Sequence, residues 1–170
     1  KFYPVFNPST GEQIAQMPRC TTAEVSKVID NAHEAYKKWS KVPVIKRVQI
    51  LYKVRDLLIE HMDELTELCA TEHGKNWEES KGDILKAKEG TELACSMPSL
   101  LQGESLMDAS TGYDTVLYRE SMGVFVGIAP FNFPAMIPMG WMAPVCIACG
   151  NAIVLKVAGA TPMTSLRIAE

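Results

Sequence analysis

Gly127-Ile128-Ala129-Pro130-Phe131-Asn132-Phe133-Pro134, followed by an apolar stretch and then Gly150-Asn151-Ala152-Ile153-Val154-Leu155-Lys156, is the part of the sequence whose reading decides the fold. Val124 to Ala129 is a short apolar run of strand character, and Pro134 to about Cys149 is an apolar helix. After the turn at Gly150-Asn151, Ala152 to Leu155 is a second, β-branched run. Thr161-Pro162 then offers an N-cap and a proline at the first helical position. Strand, helix, strand, helix is the pattern of a parallel βαβ unit, so the expected class is α/β with a Rossmann-like parallel sheet.

Open α/β sheets bind ligands in the crevice beyond the carboxyl ends of their strands. Asn132 is expected there, between two aromatic rings and beside a rigid proline. A carboxamide so placed can point its N–H groups at an oxygen on which negative charge develops. On position alone it fits as well as a residue that merely caps the following helix. Lys156 ends the next strand on the same edge, where an ammonium can reach ribose hydroxyls or a phosphate, or simply sit in solvent as a strand terminus. The dinucleotide fingerprint G-x-G-x-x-G is absent, since Gly123 and Gly127 are four apart with no third glycine in register.

Outward from this unit, Phe2 to Phe6 and Gln13 to Met17 flank Asn7-Pro8-Ser9-Thr10-Gly11-Glu12 and read as a hairpin. Thr21-Thr22-Ala23-Glu24 is a capping box, and Val25, Val28, Ile29, Ala32, Ala35 and Tyr36 mark one face of a helix running to about Trp39. Val44, Val48, Leu51, Val54, Leu58 and Ile59 mark a second helix after Pro43, and Leu65, Leu68 and Cys69 a third that ends at Gly74 as C-cap. A fourth runs from about Trp77 to Ser96, with Lys81, Asp83, Lys88 and Glu92 expected on its solvated face. Short extended runs at about Glu104 to Ala109 and Thr115 to Glu120 separate it from the βαβ unit.

The 170 residues are 47% hydrophobic and 22% charged, with a mean hydropathy near zero, as in an ordinary globular protein. A net charge of −3 with interleaved signs leaves no basic footprint for nucleic acid and none for a membrane surface. Pro134, Pro138, Gly140, Pro144 and Gly150 interrupt the longest apolar stretch, so it is no spanning helix. Five cysteines at scattered spacings argue against a secreted disulfide scaffold and for a reducing compartment: the cytoplasm, or the mitochondrial matrix in a eukaryote. Cys146-Ile147-Ala148-Cys149 has redox spacing but lies late in an apolar helix, so buried inert thiols are expected. His33, His61 and His73 lie apart from cysteine or carboxylate clusters, which leaves no expected metal site.

Asn7 to Glu12, Glu72-His73-Gly74-Lys75, Gly127 to Pro134 and Gly150 to Lys156, taken together, resemble the aldehyde dehydrogenase superfamily over essentially the whole chain. Phe131 before Asn132, the continuation Ala135-Met136-Ile137-Pro138, Glu79 to Asp83 and Glu92 to Ser96 are most similar to its methylmalonate-semialdehyde dehydrogenase branch. The resemblance implies a small-molecule aldehyde as substrate, NAD as cofactor and coenzyme A as co-substrate. In the family a cysteine thiolate attacks the aldehyde, hydride leaves to the nicotinamide, and coenzyme A attacks the resulting thioester. Asn132 is then the oxyanion-hole donor, and Ile128, Ala129, Pro130, Phe131, Lys156, Gly159 and Ala160 line the cofactor. The family's nucleophile, in a Gly-Gln-x-Cys context, does not occur in these residues. The chain is therefore expected to be a truncated N-terminal third, inactive alone.

The same resemblance assigns residues 1–103 and 122–170 to an incomplete cofactor-binding domain. Residues 104–121 become an oligomerisation arm, with a homodimer or homotetramer expected of the intact protein. Two departures stand out. The family's Lys-Pro-Ser-Glu-x-Thr-Pro reads Lys156-Val157-Ala158-Gly159-Ala160-Thr161-Pro162, so the carboxylate that holds the adenosine ribose is replaced by Gly159. NAD stays favoured over NADP, which is not excluded, because Ala158 offers no hydroxyl to a 2′-phosphate. The interval from Asn132 to Gly150 is also one residue longer than usual, with Gly140 as the extra residue, and one residue turns a helix by about 100° unless a bulge absorbs it. Two other readings remain at this stage. One is a non-catalytic nucleotide-binding or assembly module, and the other a hydrolytic aldehyde dehydrogenase that releases a free acid.

Overall fold

The computed structural model describes residues 1–170. Strands β1 (Phe2–Phe6) and β2 (Gln13–Pro18) pair antiparallel, from Phe2 opposite Pro18 inward. Gly11, at φ +75°, makes the turn, and the Asn7 side chain accepts from the Ser9 amide. Helix α1 (Thr22–Trp39) opens on the expected capping box, with the Glu24 amide donating to the Thr21 hydroxyl and the Thr21 amide to the Glu24 carboxylate. Its apolar face differs from expectation. Val25, Val28 and Ile29 are exposed and no residue of α1 is buried. The helix is held at its C-terminal end instead, by Trp39 Nε1 donating to the Ile147 carbonyl at 2.8 Å and Tyr36 Oη to the Ser121 carbonyl at 3.3 Å.

Helices α2 (Val44–Glu60), α3 (Met62–His73) and α4 (Trp77–Cys95) carry most of the core. Val48, Leu51, Ala94, Cys95 and Met97 pack on Ala148, while Leu58, Leu65, Cys69, Ile84 and Ala87 pack on Ala135. Each fully buried Leu or Ile among them stabilises the fold by about 1.5–3 kcal/mol. Gly74 caps α3 at φ +83°, where a Cβ would also stand 2.8 Å from the Pro8 ring, so both the turn and the close approach of the first hairpin require glycine. Pro98 sits in the first turn of a one-turn helix α5 (Met97–Leu100) that the sequence pattern did not announce.

Strands β3 (Glu104–Ser110) and β4 (Tyr113–Leu117) form a separate antiparallel ribbon with every residue exposed. The second strand ends at Leu117, earlier than expected. Strands β5 (Val124–Ile128) and β6 (Ala152–Lys156) pair in parallel, from Val124 opposite Ala152 to Ile128 opposite Lys156. Buried Asn151 ties their starts together, its side-chain oxygen accepting from the amides of Met122 and Gly123 at 2.6 and 3.0 Å. Buried Arg47 of α2 supports the same end, donating to the carbonyls of Ala148 and Val42.

The connection between β5 and β6 is not one regular helix. Met136–Met142 is π-helical and runs into α6 (Ala143–Ala148). A π turn is what one inserted residue produces in a helix, and Gly140 falls inside it. The segment crosses α4 backbone to backbone: a Cβ on Gly90 would stand 2.4 Å from the Gly140 carbonyl oxygen, and one on Gly140 2.8 Å from the Ala87 Cα. Helix α7 (Met163–Ala169) follows β6. No helix is long and apolar enough to cross a membrane.

Candidate active site

The parallel register brings the sequence-predicted residues to one edge. Ile128 and Lys156 are partners at the carboxyl ends of β5 and β6, and the Ala129 amide donates to the Lys156 carbonyl at 3.0 Å. Ala129, Pro130, Phe131 and Asn132 continue from β5 as one loop, while Gly159 and Ala160 lie in the loop from β6 to α7. The Thr161 hydroxyl joins the two loops by donating to the Phe131 carbonyl at 3.1 Å. Phe131 is 61% exposed with its ring against His73, the centroids 6.3 Å apart. Ile128, Asn132 and Lys156 are also exposed, so this edge presents apolar side chains, a carboxamide and an ammonium to solvent.

What fixes these loops comes from α3 and α4, and local sequence reading missed it. Asp83 is 1% exposed, not on a solvated face as expected. Its carboxylate accepts from the Met136 amide at 2.7 Å and from the Ala135 amide at 3.4 Å, capping the π-helical segment that follows Asn132. Glu72 is 2% exposed and accepts from the Met163 and Thr164 amides at 2.7 and 2.9 Å, capping α7. Two local caps expected from sequence are thereby displaced. Thr161 does not cap α7, because its hydroxyl is engaged with Phe131. Asn132 does not cap the helix after it, because Asp83 holds those amides.

Lys75 completes the arrangement. Its ammonium donates to the Asn132 main-chain carbonyl at 2.6 Å, lies 4.1 Å from the centre of the Phe133 ring and 3.9 Å from the Asp83 carboxylate. One signal could have found the two acids. Glu72 continues the buried stripe of Leu65 and Cys69 at helical spacing, and Asp83 falls on the α4 stripe of Ser80, Ile84, Ala87, Thr91 and Ala94. An acid in phase with an apolar stripe has to meet donors inside.

The electrostatics follow from burial. Glu72 is pushed up from the ordinary glutamate range by loss of solvent, opposed by the amides it accepts from. His73 is pushed down, first by burial and then by the Lys75 charge. Its two ring nitrogens are shut off from solvent without a hydrogen-bond partner. Burial, with help from Asp83, pushes the Cys69 thiol up to about 12, and burial pushes Cys146 up to about 11. Cys146 and Cys149 are half-buried free thiols, their Sγ atoms directed at the Ala152 carbonyl and the Met97 sulfur. Thiols held protonated in this way are poor nucleophiles. No three His, Cys, Asp or Glu side chains converge in a metal-ligating group.

The donor set suits part of a dinucleotide. An ammonium at Lys156 can meet an oxygen-rich group, and a Cβ at Gly159 would meet only the Met17 sulfur, at 3.8 Å, so backbone can be approached closely there. No carboxylate stands at position 159 to accept from ribose hydroxyls.

Known proteins resemble this chain over essentially its whole length. A malonate-semialdehyde dehydrogenase of Bacillus cereus is 45% identical over 170 residues, covering 100% of this chain and 35% of the relative. A methylmalonate-semialdehyde dehydrogenase structure from Oceanimonas doudoroffii superposes with a TM-score of 0.95 at 38% identity, over 99% of this chain and 34% of that one. A structure from Sinorhizobium meliloti 1021, provisionally described as a methylmalonate-semialdehyde dehydrogenase and complexed with NAD, gives 0.95 at 36% identity, over 100% and 34%. The chain thus spans about a third of the length of these relatives. The family model described as "Aldehyde dehydrogenase family" matches residues 1–170, and with the strand-end asparagine loop in place this chain belongs to the aldehyde dehydrogenase family.

Proposed function

We propose that the protein oxidises malonate or methylmalonate semialdehyde with NAD through a cysteine thioester, which coenzyme A then attacks. In this reading the nucleophilic cysteine lies outside these residues. The observation that carries it is the state of Asn132: its loop is held from behind by Lys75 and Asp83, and its carboxamide is relieved of helix capping. Such a donor stabilises the oxyanion formed when a thiolate adds to an aldehyde, at little cost in reorganisation. NAD, when bound, supplies the acceptor for the hydride.

The chain's own part is to bind and orient. Lys156 holds cofactor oxygens, Ile128, Ala129, Pro130 and Phe131 form the wall beside Asn132, and Gly159 with Ala160 lets the cofactor approach main chain. Residues 1–103 and 122–170 belong to one cofactor-binding domain in this account. The exposed ribbon within 104–121 is an arm that pairs with another subunit in a dimer or tetramer. Free cysteines suit a cytoplasmic setting.

The test is absorbance of reduced nicotinamide when the full-length protein meets either semialdehyde and NAD, with and without coenzyme A. Reduction that continues past one turnover only with coenzyme A is the expected result. Continued reduction without it replaces acyl transfer by hydrolysis, and no reduction with either substrate removes the semialdehyde assignment.

A further inference from the structure

We infer that Lys75 and Asp83 are positioning residues for the Asn132 carboxamide, acting on it through the main chain of its loop. The inference rests on the proposed role of Asn132 as oxyanion donor. Asn132 is exposed, and none of the side-chain hydrogen bonds in the chain is made by its carboxamide. The direction of its Cα–Cβ bond is set by the peptide groups on either side.

Lys75 and Asp83 grip the loop from opposite chemical ends. The Lys75 ammonium binds the Asn132 carbonyl at 2.6 Å, while the Asp83 carboxylate takes the Met136 amide at 2.7 Å and the Ala135 amide at 3.4 Å. Between these anchors, Phe133 lies under the Lys75 ammonium and the Pro134 carbonyl accepts from the buried Ser165 hydroxyl. On the other side of Asn132, the Phe131 carbonyl is taken by Thr161. The main chain around the carboxamide is therefore held by side chains from distant parts of the fold, with Lys75 on the Asn132 carbonyl itself and Asp83 on the amides three and four residues further on.

The two anchors are also each other's counter-charge. Asp83 has no solvent to face, and Lys75 is the cation paired with it, 3.9 Å away, with only 13% of its side chain exposed. A buried carboxylate without such a partner is strongly destabilising, so the pair stays together and the loop geometry stays with it. A displacement of about 1 Å at the reacting oxygen is enough to cost roughly 10²-fold in rate.

The experiment is a pair of double-mutant cycles in the full-length protein, Lys75→Met against Asn132→Ala and Asp83→Asn against Asn132→Ala, read as kcat and as KM for NAD and aldehyde. Lys75→Met and Asp83→Asn should each lower kcat by about 10- to 100-fold while leaving both KM values within about threefold. On the Asn132→Ala background each should change kcat by less than about twofold, since nothing remains to be aimed. Lys75→Arg, which keeps the cationic donor, should recover most of the loss. An equal fold-loss on both backgrounds assigns the pair a purely structural role and overturns the inference, as does normal turnover in both single variants when Asn132→Ala is slow. Near-normal turnover of Asn132→Ala itself overturns the oxyanion reading, whatever the pair does.

Discussion

Replacing Glu72 by Ala removes the acceptor that the fold gives to two amides, those of Met163 and Thr164. Leaving a buried donor unpaired costs about 1–3 kcal/mol. Relief from desolvating a carboxylate that is 2% exposed offsets part of the sum. A net loss of about 2–3 kcal/mol, at about 1.4 kcal/mol per tenfold, corresponds to a rise of roughly 30- to 150-fold in local opening at the start of α7. Hydrogen exchange of the Met163 and Thr164 amides in the full-length protein reads this directly.

The pH dependence has a definite sign. Burial raises the Glu72 pKa in the folded state, so its contribution to stability is complete below the ordinary glutamate value and is lost as pH rises through the raised one. The protection that separates wild type from Glu72→Ala should therefore be largest at the acid end of that window and shrink above it. Glu72→Gln, which keeps one acceptor oxygen, should lose less and show no such trend. Because Thr161 links this segment to Phe131, NAD should also bind Glu72→Ala more weakly. Exchange at the two amides within about twofold of wild type would refute the capping role.

Two further perturbations probe neighbouring parts of the account. Lys156→Ala should weaken NAD binding by roughly 10- to 100-fold, the scale of one charge-assisted hydrogen bond, with kcat at saturating NAD within about threefold; an unchanged NAD titration makes Lys156 a solvated strand end. Gly90→Ala places a Cβ 2.4 Å from the Gly140 carbonyl oxygen, a backbone contact that cannot rotate away. Overpacking at about 1–3 kcal/mol outweighs the helix propensity gained, so the urea midpoint should fall, and an equal or higher midpoint contradicts the close crossing of α4 and the π-helical segment.

Much of the fold was legible because its signals are local. The Thr21–Glu24 capping box, Gly74 as C-cap and the β5–helix–β6 alternation are written in residues a few positions apart, and the structure reproduces them. Asn132 and Lys156 were singled out the same way, from their place at strand ends, and the Ile128 to Phe131 wall from the family resemblance. The supports behind them were not, because Glu72 and Asp83 reach amides 91 and 53 residues away, a distance no spacing rule spans. The local candidates, Thr161 and Asn132, are good caps by propensity and lost to buried carboxylates that must meet donors inside the fold. The α1 face misled in the opposite direction: Val25, Val28 and Ile29 have helical periodicity, but periodicity names a face without saying what covers it. The interval suggested an extra residue at Gly140, and Gly140 falls in the π-helical segment, where Gly90 leaves room across the helix pair.

The most direct test of the central claim is the turnover of Asn132→Ala in the full-length protein with semialdehyde, NAD and coenzyme A all saturating. The account predicts a fall in kcat of about 10²- to 10³-fold, the scale of one oxyanion donor, with the dissociation constant for NAD unchanged within about threefold. A kcat within about threefold of wild type would contradict it and leave Asn132 an ordinary residue of an exposed loop.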